Sequence, residues 1–299
     1  MSTARDAKPA LGGPGATPAS GALGPKPALG GPGATPASGA LGPKPAPGAA
    51  WRKAGWLLAA CLAVLLGVGT AIRAAADPSA LWHVVNGQCV PDQLRKHDPA
   101  PCAGVDLQQG YAVLKDLTGE YQFLLIPTAR VSGIDDPAIL AANAPNYWQA
   151  AWQSRRFLEQ RAGHAVPRDI LSLAINSAAG RSQDQLHIHI DCISPGVRTA
   201  LAQHLDVIGP HWSAFPVPLA GQDYRAMRIA QTDLHGLDPF RLLAGTVPAD
   251  QMRWHTLVVA GAMFGDQPGF ILLDGQAGPG TGDRGHGEAL QDHSCTLLQ

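Results

Sequence analysis

Residues 185–193 read QLHIHIDCI, and strict alternation over nine positions leaves little freedom in how this run folds. A period of two marks a β-strand, whose successive side chains leave opposite faces of a sheet. Leu186, Ile188, Ile190 and Cys192 then form one apolar face, while Gln185, His187, His189 and Asp191 form the other. Same-face neighbours on a strand have Cα atoms about 6–7 Å apart. Two imidazoles at that spacing can attend one small group, such as a phosphate or a metal ion. A solvated polar face is the plainer alternative, but two histidines and an aspartate exceed what solubility requires.

The surrounding sequence supplies partners for this strand. Residues 111–116 alternate and end at Thr118-Gly119, and residues 121–126 (YQFLLI) form a second strand stopped by Pro127, so the pair reads as an antiparallel hairpin. Across residues 138–161, Ile139, Leu140, Tyr147, Trp148, Ala151, Trp152, Phe157 and Leu158 recur near helical spacing, with Pro145 starting the main helix. Residues 170–175 (ILSLAI) form a strand, and the polar run 176–184 leads into the histidines. Strands are expected again at 224–229, 256–260 and 270–273, with a helix over 239–244. That order loosely echoes the first half and predicts an α+β fold: an antiparallel sheet with flanking helices and a degenerate second half. His204, His211, His235, His255, His286 and His293 lack ligand spacing and are expected at the surface or at caps.

The amino-terminal part is built differently. Residues 11–28 (LGGPGATPASGALGPKPA) recur letter for letter as residues 29–46. With only Leu and Ala as apolar residues, and Pro or Gly every few positions, the repeat cannot bury enough surface to offset chain entropy. Residues 1–50 are therefore expected to be a disordered tail. Residues 54–72 carry no charge, and as a helix would span about 28 Å, enough to cross a bilayer core. Trp51 and Trp56 flank the start of this run, and Arg52-Lys53 precede it, which retains the tail in the cytoplasm and exports the body. Residues 51–76 read as a transmembrane signal anchor and 77–299 as one exported domain. A signal peptide cut near Ala74–Ala76 and a buried core helix are the competing readings, and the Cys61 context is a poor lipoprotein box.

Charge and cysteine use agree with export. Residues 1–53 hold six bases and one acid, whereas the remaining 246 residues carry a net charge of −6 without an Arg/Lys cluster, which argues against nucleic-acid binding. Outside the span lie four cysteines, an even number that suggests two disulfides in an oxidising compartment. Cys89 and Cys102 close a short proline-rich loop, and Cys192 and Cys295 pair by elimination. Free buried thiols are the alternative.

Several motifs carry a resemblance: LW at 81–82, QCVP at 88–91, PAPC at 99–102, the IPT turn at 126–128, PNY at 145–147, LAINS at 173–177, GRSQ at 180–183 ahead of the QLHIHI strand, and QDHSC at 291–295. Together they resemble the histidine-triad superfamily and, more narrowly, the bacterial CDP-diacylglycerol pyrophosphatases, which are inner-membrane enzymes. HxH alone is weak evidence; LAINS followed by GRSQxQLHIHI is specific. The resemblance implies hydrolysis of CDP-diacylglycerol held in the bilayer, giving CMP and phosphatidate, without cofactor or metal. It implies His189 as the nucleophile, His187 as the residue orienting it, and Asn176 as a holder of the site. Ser182 and Gln185, with backbone N–H groups around Gly180, are candidate donors to phosphate oxygens, and Arg130 and Lys115 are candidate sources of positive charge. The localisation implied is single-pass in the inner membrane, with the catalytic body in the periplasm.

Asp191 stands where a third histidine is usual, and an anion beside a phosphate repels it unless paired or turned away. No catalytic role is therefore given to Asp191. Two other functions compete. His187-x-His189-x-Asp191 matches the start of a zinc-hydrolase motif, although Cys192 replaces the next histidine. A non-enzymatic nucleotide-binding protein of the envelope is the third reading.

Overall fold

The computed structural model describes residues 77–278 and 282–299. The expected tail and anchor lie outside the described residues. None of the described helices is long and apolar enough to cross a membrane.

The body is built on one antiparallel sheet of nine strands. These are β1 (Gly104–Asp106), β2 (Tyr111–Lys115), β3 (Phe123–Pro127), β4 (Leu171–Ile175), β5 (Ile188–Cys192), β6 (Ser213–Ala214), β7 (Tyr224–Ile229), β8 (His255–Phe264) and β9 (Gln267–Gln276). Their order across the sheet is β1-β2-β3-β5-β4-β8-β9-β7-β6. Strands β2 to β5 are arranged as hairpin, helix, hairpin, and β6 to β9 repeat that arrangement in mirror order across the sheet. The joint between the halves is the β4–β8 pair, in register from Ser172 opposite Ala260 to Ile175 opposite Leu257.

Helix α3 (Tyr147–Ala162) connects β3 to β4, and α5 (Pro239–Ala244) connects β7 to β8. The start of α3 is set by Asn146, whose side-chain oxygen accepts from the Gln149 N–H, with Pro145 just outside. Its end is set by Gly163 at φ 78°, the left-handed conformation that glycine adopts without strain. Both helices lie on one face of the sheet. Trp148 meets Phe240 edge-on at 5.1 Å, and Trp152 meets Phe270 at 4.8 Å, over Leu125, Leu173, Ile188, Ile190, Val259 and Leu272. Each such fully buried side chain contributes about 1.5–3 kcal/mol of transfer free energy, so this face holds the main core.

The opposite face is covered in two patches. At one end, α1 (Ala80–Val84), a π-helical turn (Val85–Cys89) and α2 (Val90–Lys96) set Val85 and the Cys89–Cys102 disulfide on Ala112, Leu124 and Ile126. At the other, α4 (Pro195–Gln203) brings Val197 and Leu201, with Phe215 and Leu219, onto Val258, Ile271 and Leu273. Between the patches runs the polar face of β5. The second disulfide, Cys192–Cys295, joins β5 to the C-terminal segment. Both expected pairings are thus present, as an oxidising compartment permits.

The sequence reading differs from this structure in definable places. Residues 80–96 are helical although Pro91 interrupts any pattern; the proline occupies the first turn of α2, where it costs no hydrogen bond. Strands β8 and β9 are each ten residues long rather than four or five, because both faces are buried and the alternation that marks a strand disappears.

Candidate active site

The polar face of β5 is buried rather than solvated, with Gln185 and Asp191 fully enclosed and His187 and His189 7% and 5% exposed. The two imidazoles stand edge to face with centroids 5.0 Å apart, so they do attend one place. Opposite them, β4 turns Ser172, Ala174 and Asn176 to the same face, with Ala174 paired to His189. Burial drives both histidines down to a pKa of about 4, aided at His187 by its neighbour His189 and opposed at His189 by Asp116. Both rings are therefore neutral at neutral pH.

Hydrogen bonding distinguishes the two rings. His187 Nδ1 lies 2.8 Å from the Gln185 carbonyl oxygen. A carbonyl only accepts, so the ring proton sits on Nδ1 and Nε2 keeps its lone pair. Among the described residues that Nε2 has no hydrogen-bond partner, on a ring that is 7% exposed. At His189, the Gln122 amide nitrogen donates to Nδ1 across 2.6 Å, which puts the ring proton on Nε2. His189 Nε2 is buried 3.1 Å from the Glu288 carboxylate, a close contact without the alignment of a hydrogen bond.

Glu288 arrives from a distant part of the chain. Its backbone N–H donates to Asn176 Oδ1 at 3.3 Å, which gives buried Asn176 a clear positioning task. Gln291 donates through Nε2 to Ser172 and, at 3.4 Å, to the carbonyl of His189. His293 Nδ1 meets Asp191 Oδ2 at 2.7 Å, while Asp191 Oδ1 accepts the Cys192 N–H at 2.8 Å. The hydrogen bond to Asp191 raises the His293 pKa, and burial raises that of Asp191 itself. Asp191 is thus occupied, which removes the repulsion expected beside a phosphate. The same occupation disfavours the zinc reading. Cys192 and Cys295, whose sulfurs lie within 4.8 Å of the Asp191 carboxylate, are joined to each other and offer no thiolate. His293, expected at the surface, is half-buried in this pairing, and His255 is buried against Asp274 at 2.6 Å.

The candidate phosphate contacts are mostly engaged elsewhere. Gln185 donates to the carbonyls of Pro127 and Ala129, fixing the turn after β3. Lys115 donates to the carbonyls of Asp116 and Gly119, and burial lowers its pKa. Arg130 donates to Ser79 Oγ and stacks on Trp82 at 5.4 Å. The N–H groups of Ala179 and Gly180 are taken by Ser177 Oγ, and that of Arg181 by the Ser177 carbonyl. Ser182 is exposed with its hydroxyl unpaired among the described residues. Gln122, Glu288, Gln291 and His293 were not singled out as site residues from sequence. The QDHSC motif and the Cys192–Cys295 pairing were the available signals, since that crosslink draws residues 288–293 towards β5.

Comparison with known proteins identifies the family. The family described as CDH, CDP-diacylglycerol pyrophosphatase, matches residues 76–299. A CDP-diacylglycerol pyrophosphatase of Yersinia pestis is 42% identical over 251 residues, covering 83% of this chain and 95% of that relative. With a buried pair of neutral imidazoles at its centre, the chain belongs to the CDP-diacylglycerol pyrophosphatase family, hydrolases that split CDP-diacylglycerol into CMP and phosphatidate.

Proposed function

We propose that hydrolysis runs through a covalent intermediate on His187, with His189 as its positioning partner. This exchanges the roles expected from the motif. The observation that carries the reading is the His187 ring itself: Nδ1–H is fixed by a backbone carbonyl, and Nε2 keeps its lone pair with no hydrogen-bond partner among the described residues. A neutral imidazole of this kind is a nucleophile at neutral pH. Its Nε2 attacks the phosphorus of the CMP phosphate. The P–N bond forms as the phosphoanhydride P–O bond breaks, and phosphatidate leaves with that oxygen. Water then attacks the same phosphorus, the P–N bond breaks, and CMP departs. His189, held by Gln122, packs against the nucleophile, and Asn176 anchors the segment that closes over both. Ser182 offers its hydroxyl to a phosphate oxygen, and Arg130 and Lys115 supply positive charge at longer range.

The fold supports a histidine-triad-like reading in which the second half is a degenerate copy. The matching strand order of β2–β5 and β6–β9 motivates it, together with the apolar Ile271 and Leu273 on the face of β9 that corresponds to the histidine face of β5. For cellular placement, two disulfides in a bacterial family fit the envelope. The finer reading keeps residues 1–50 as a cytoplasmic tail, 51–76 as an inner-membrane anchor and 77–299 as a periplasmic body. One contact favours it. Leu81 N–H and the Asp77 carbonyl bind the Gln183 side chain, and Asp184 N–H donates to the Pro78 carbonyl. The chain therefore enters the body beside the loop that leads to His187, where a tether would bring a bilayer substrate close.

Mapping the adduct tests the mechanism. Full-length protein in mixed micelles, quenched early with CDP-diacylglycerol, is expected to carry a cytidylyl group on His187. An adduct on His189, or full turnover by His187→Ala, overturns the assignment.

A further inference from the structure

The segment from Arg284 to Cys295 is laid across the polar face of the sheet and pinned along its length. Ser177 Oγ donates to the Arg284 carbonyl, and Ser177 N–H to that of Gly285. A Cβ on Gly287 would stand 2.5 Å from Thr256 Oγ1 and 2.9 Å from Val258 Cγ2, so only glycine lets the backbone lie this close to β8. Asn176 holds the N–H of residue 288, Ser194 N–H donates to the Leu290 carbonyl, Asp292 N–H donates to that of Cys192, and the disulfide closes the end. Within this clamp, Glu288 is the carboxylate beside the imidazoles. It lies 3.1 Å from His189 Nε2, and with 31% of its side chain exposed it also reaches water. Nothing in the nucleophilic step requires it. Asp116, the other carboxylate whose charge bears on both rings, lies on the β2–β3 hairpin and accepts from Thr118 N–H.

Resting on the His187 intermediate above, we propose that Glu288 is the general base that activates the hydrolytic water. In the second step its carboxylate takes a proton from the attacking water as the new P–O bond forms. The P–N bond breaks, its electron pair returns to His187 Nε2, and Glu288 then passes the proton to solvent. His189 stands beside the carboxylate, and the clamp fixes the segment that carries it. Removing such a base slows its step by about 10²–10⁴-fold.

The test separates the two half-reactions in the full-length protein. With Glu288→Gln in mixed micelles, one equivalent of phosphatidate should still appear in a burst. The His187 adduct should accumulate, and CMP release should fall by at least about a hundredfold. Hydroxylamine attacks as a neutral nucleophile and needs no base, so it should discharge the variant's adduct as fast as the wild type's. Glu288→Asp keeps a carboxylate and should retain a measurable part of CMP release. The proposal is overturned if Gln leaves CMP release within about threefold of wild type, if Asp and Gln lose it equally, or if the burst disappears together with it. A wild-type enzyme that never forms the His187 adduct instead fails the nucleophile reading on which the base depends.

Discussion

Strands β5 and β9 hold corresponding places in the two halves of the sheet and present opposite chemistry on the same face. β5 and the residues leading into it turn out His187, His189 and Asp191, buried beneath a polar segment that hydrogen-bonds to their surroundings. β9 turns out Ile271 and Leu273, buried beneath α4, Phe215 and Leu219. The scaffold under each is the same, a helix on the far face and antiparallel neighbours on both sides. What differs is the cover. A polar cover lets ring nitrogens be held individually, whereas an apolar cover turns its half into a support. The division predicts that function and stability separate by half.

The sharpest way to break this comparison is a pair of substitutions. His187→Ala should reduce kcat/KM by roughly a thousandfold or more while leaving the melting temperature nearly unchanged. Leu273→Ala should cost about 2–5 kcal/mol of stability and leave kcat intact at temperatures where the variant is folded. Equal loss of activity in both variants would merge the two halves. Next in size is the crosslink. Replacing Cys192 and Cys295 by serine opens a loop with a sequence separation of 103. By chain entropy this costs about 4–5 kcal/mol. It should lower activity before global unfolding, read as an activity loss at lower denaturant concentration than the circular-dichroism transition.

Acid should act on the catalytic half through its two buried imidazoles. The unfolded imidazoles titrate near 6.5, while His187 and His189 are held down at about 4 in the folded protein. The unfolded chain therefore binds more protons between these values, and stability falls as pH drops through that window. Denaturation at pH 7 and pH 4.5 should show a loss on the order of 2–3 kcal/mol per imidazole, smaller in His187→Asn by that amount. The smallest effect sharpens the boundary of the site. Leu117 at the hairpin tip is fully exposed, and Leu117→Ser should change stability by less than about 0.5 kcal/mol.

Much of this architecture is legible in the sequence. Tyr224–Ile229 and Pro239–Ala244 fall where periodicity and a proline start place them, and the alternation at 185–193 correctly separates the histidine face from the core face. Helix α4 is not legible in the sequence despite its Ser194-Pro195 start, a cap whose hydroxyl accepts from Val197 N–H. Its few apolar positions, Val197 and Leu201, are too sparse to set a period. The partners of the histidines were illegible for a different reason. Gln122, Glu288 and His293 lie 67, 99 and 104 positions from His189 in sequence, and local patterning carries no information about such contacts. The cysteine pairing was the bridge. Once Cys295 is joined to Cys192, residues a few positions before it must lie over β5.

The crosslink between β5 and the end of the segment also bears on timing. Synthesis runs from the N-terminus, so both imidazoles are made long before residues 284–295 are. Until those residues arrive and the thiols are oxidised, the rings lack their cover. Catalytic competence is therefore the last property this chain acquires, and the oxidation that locks it in is possible only once the chain is nearly complete.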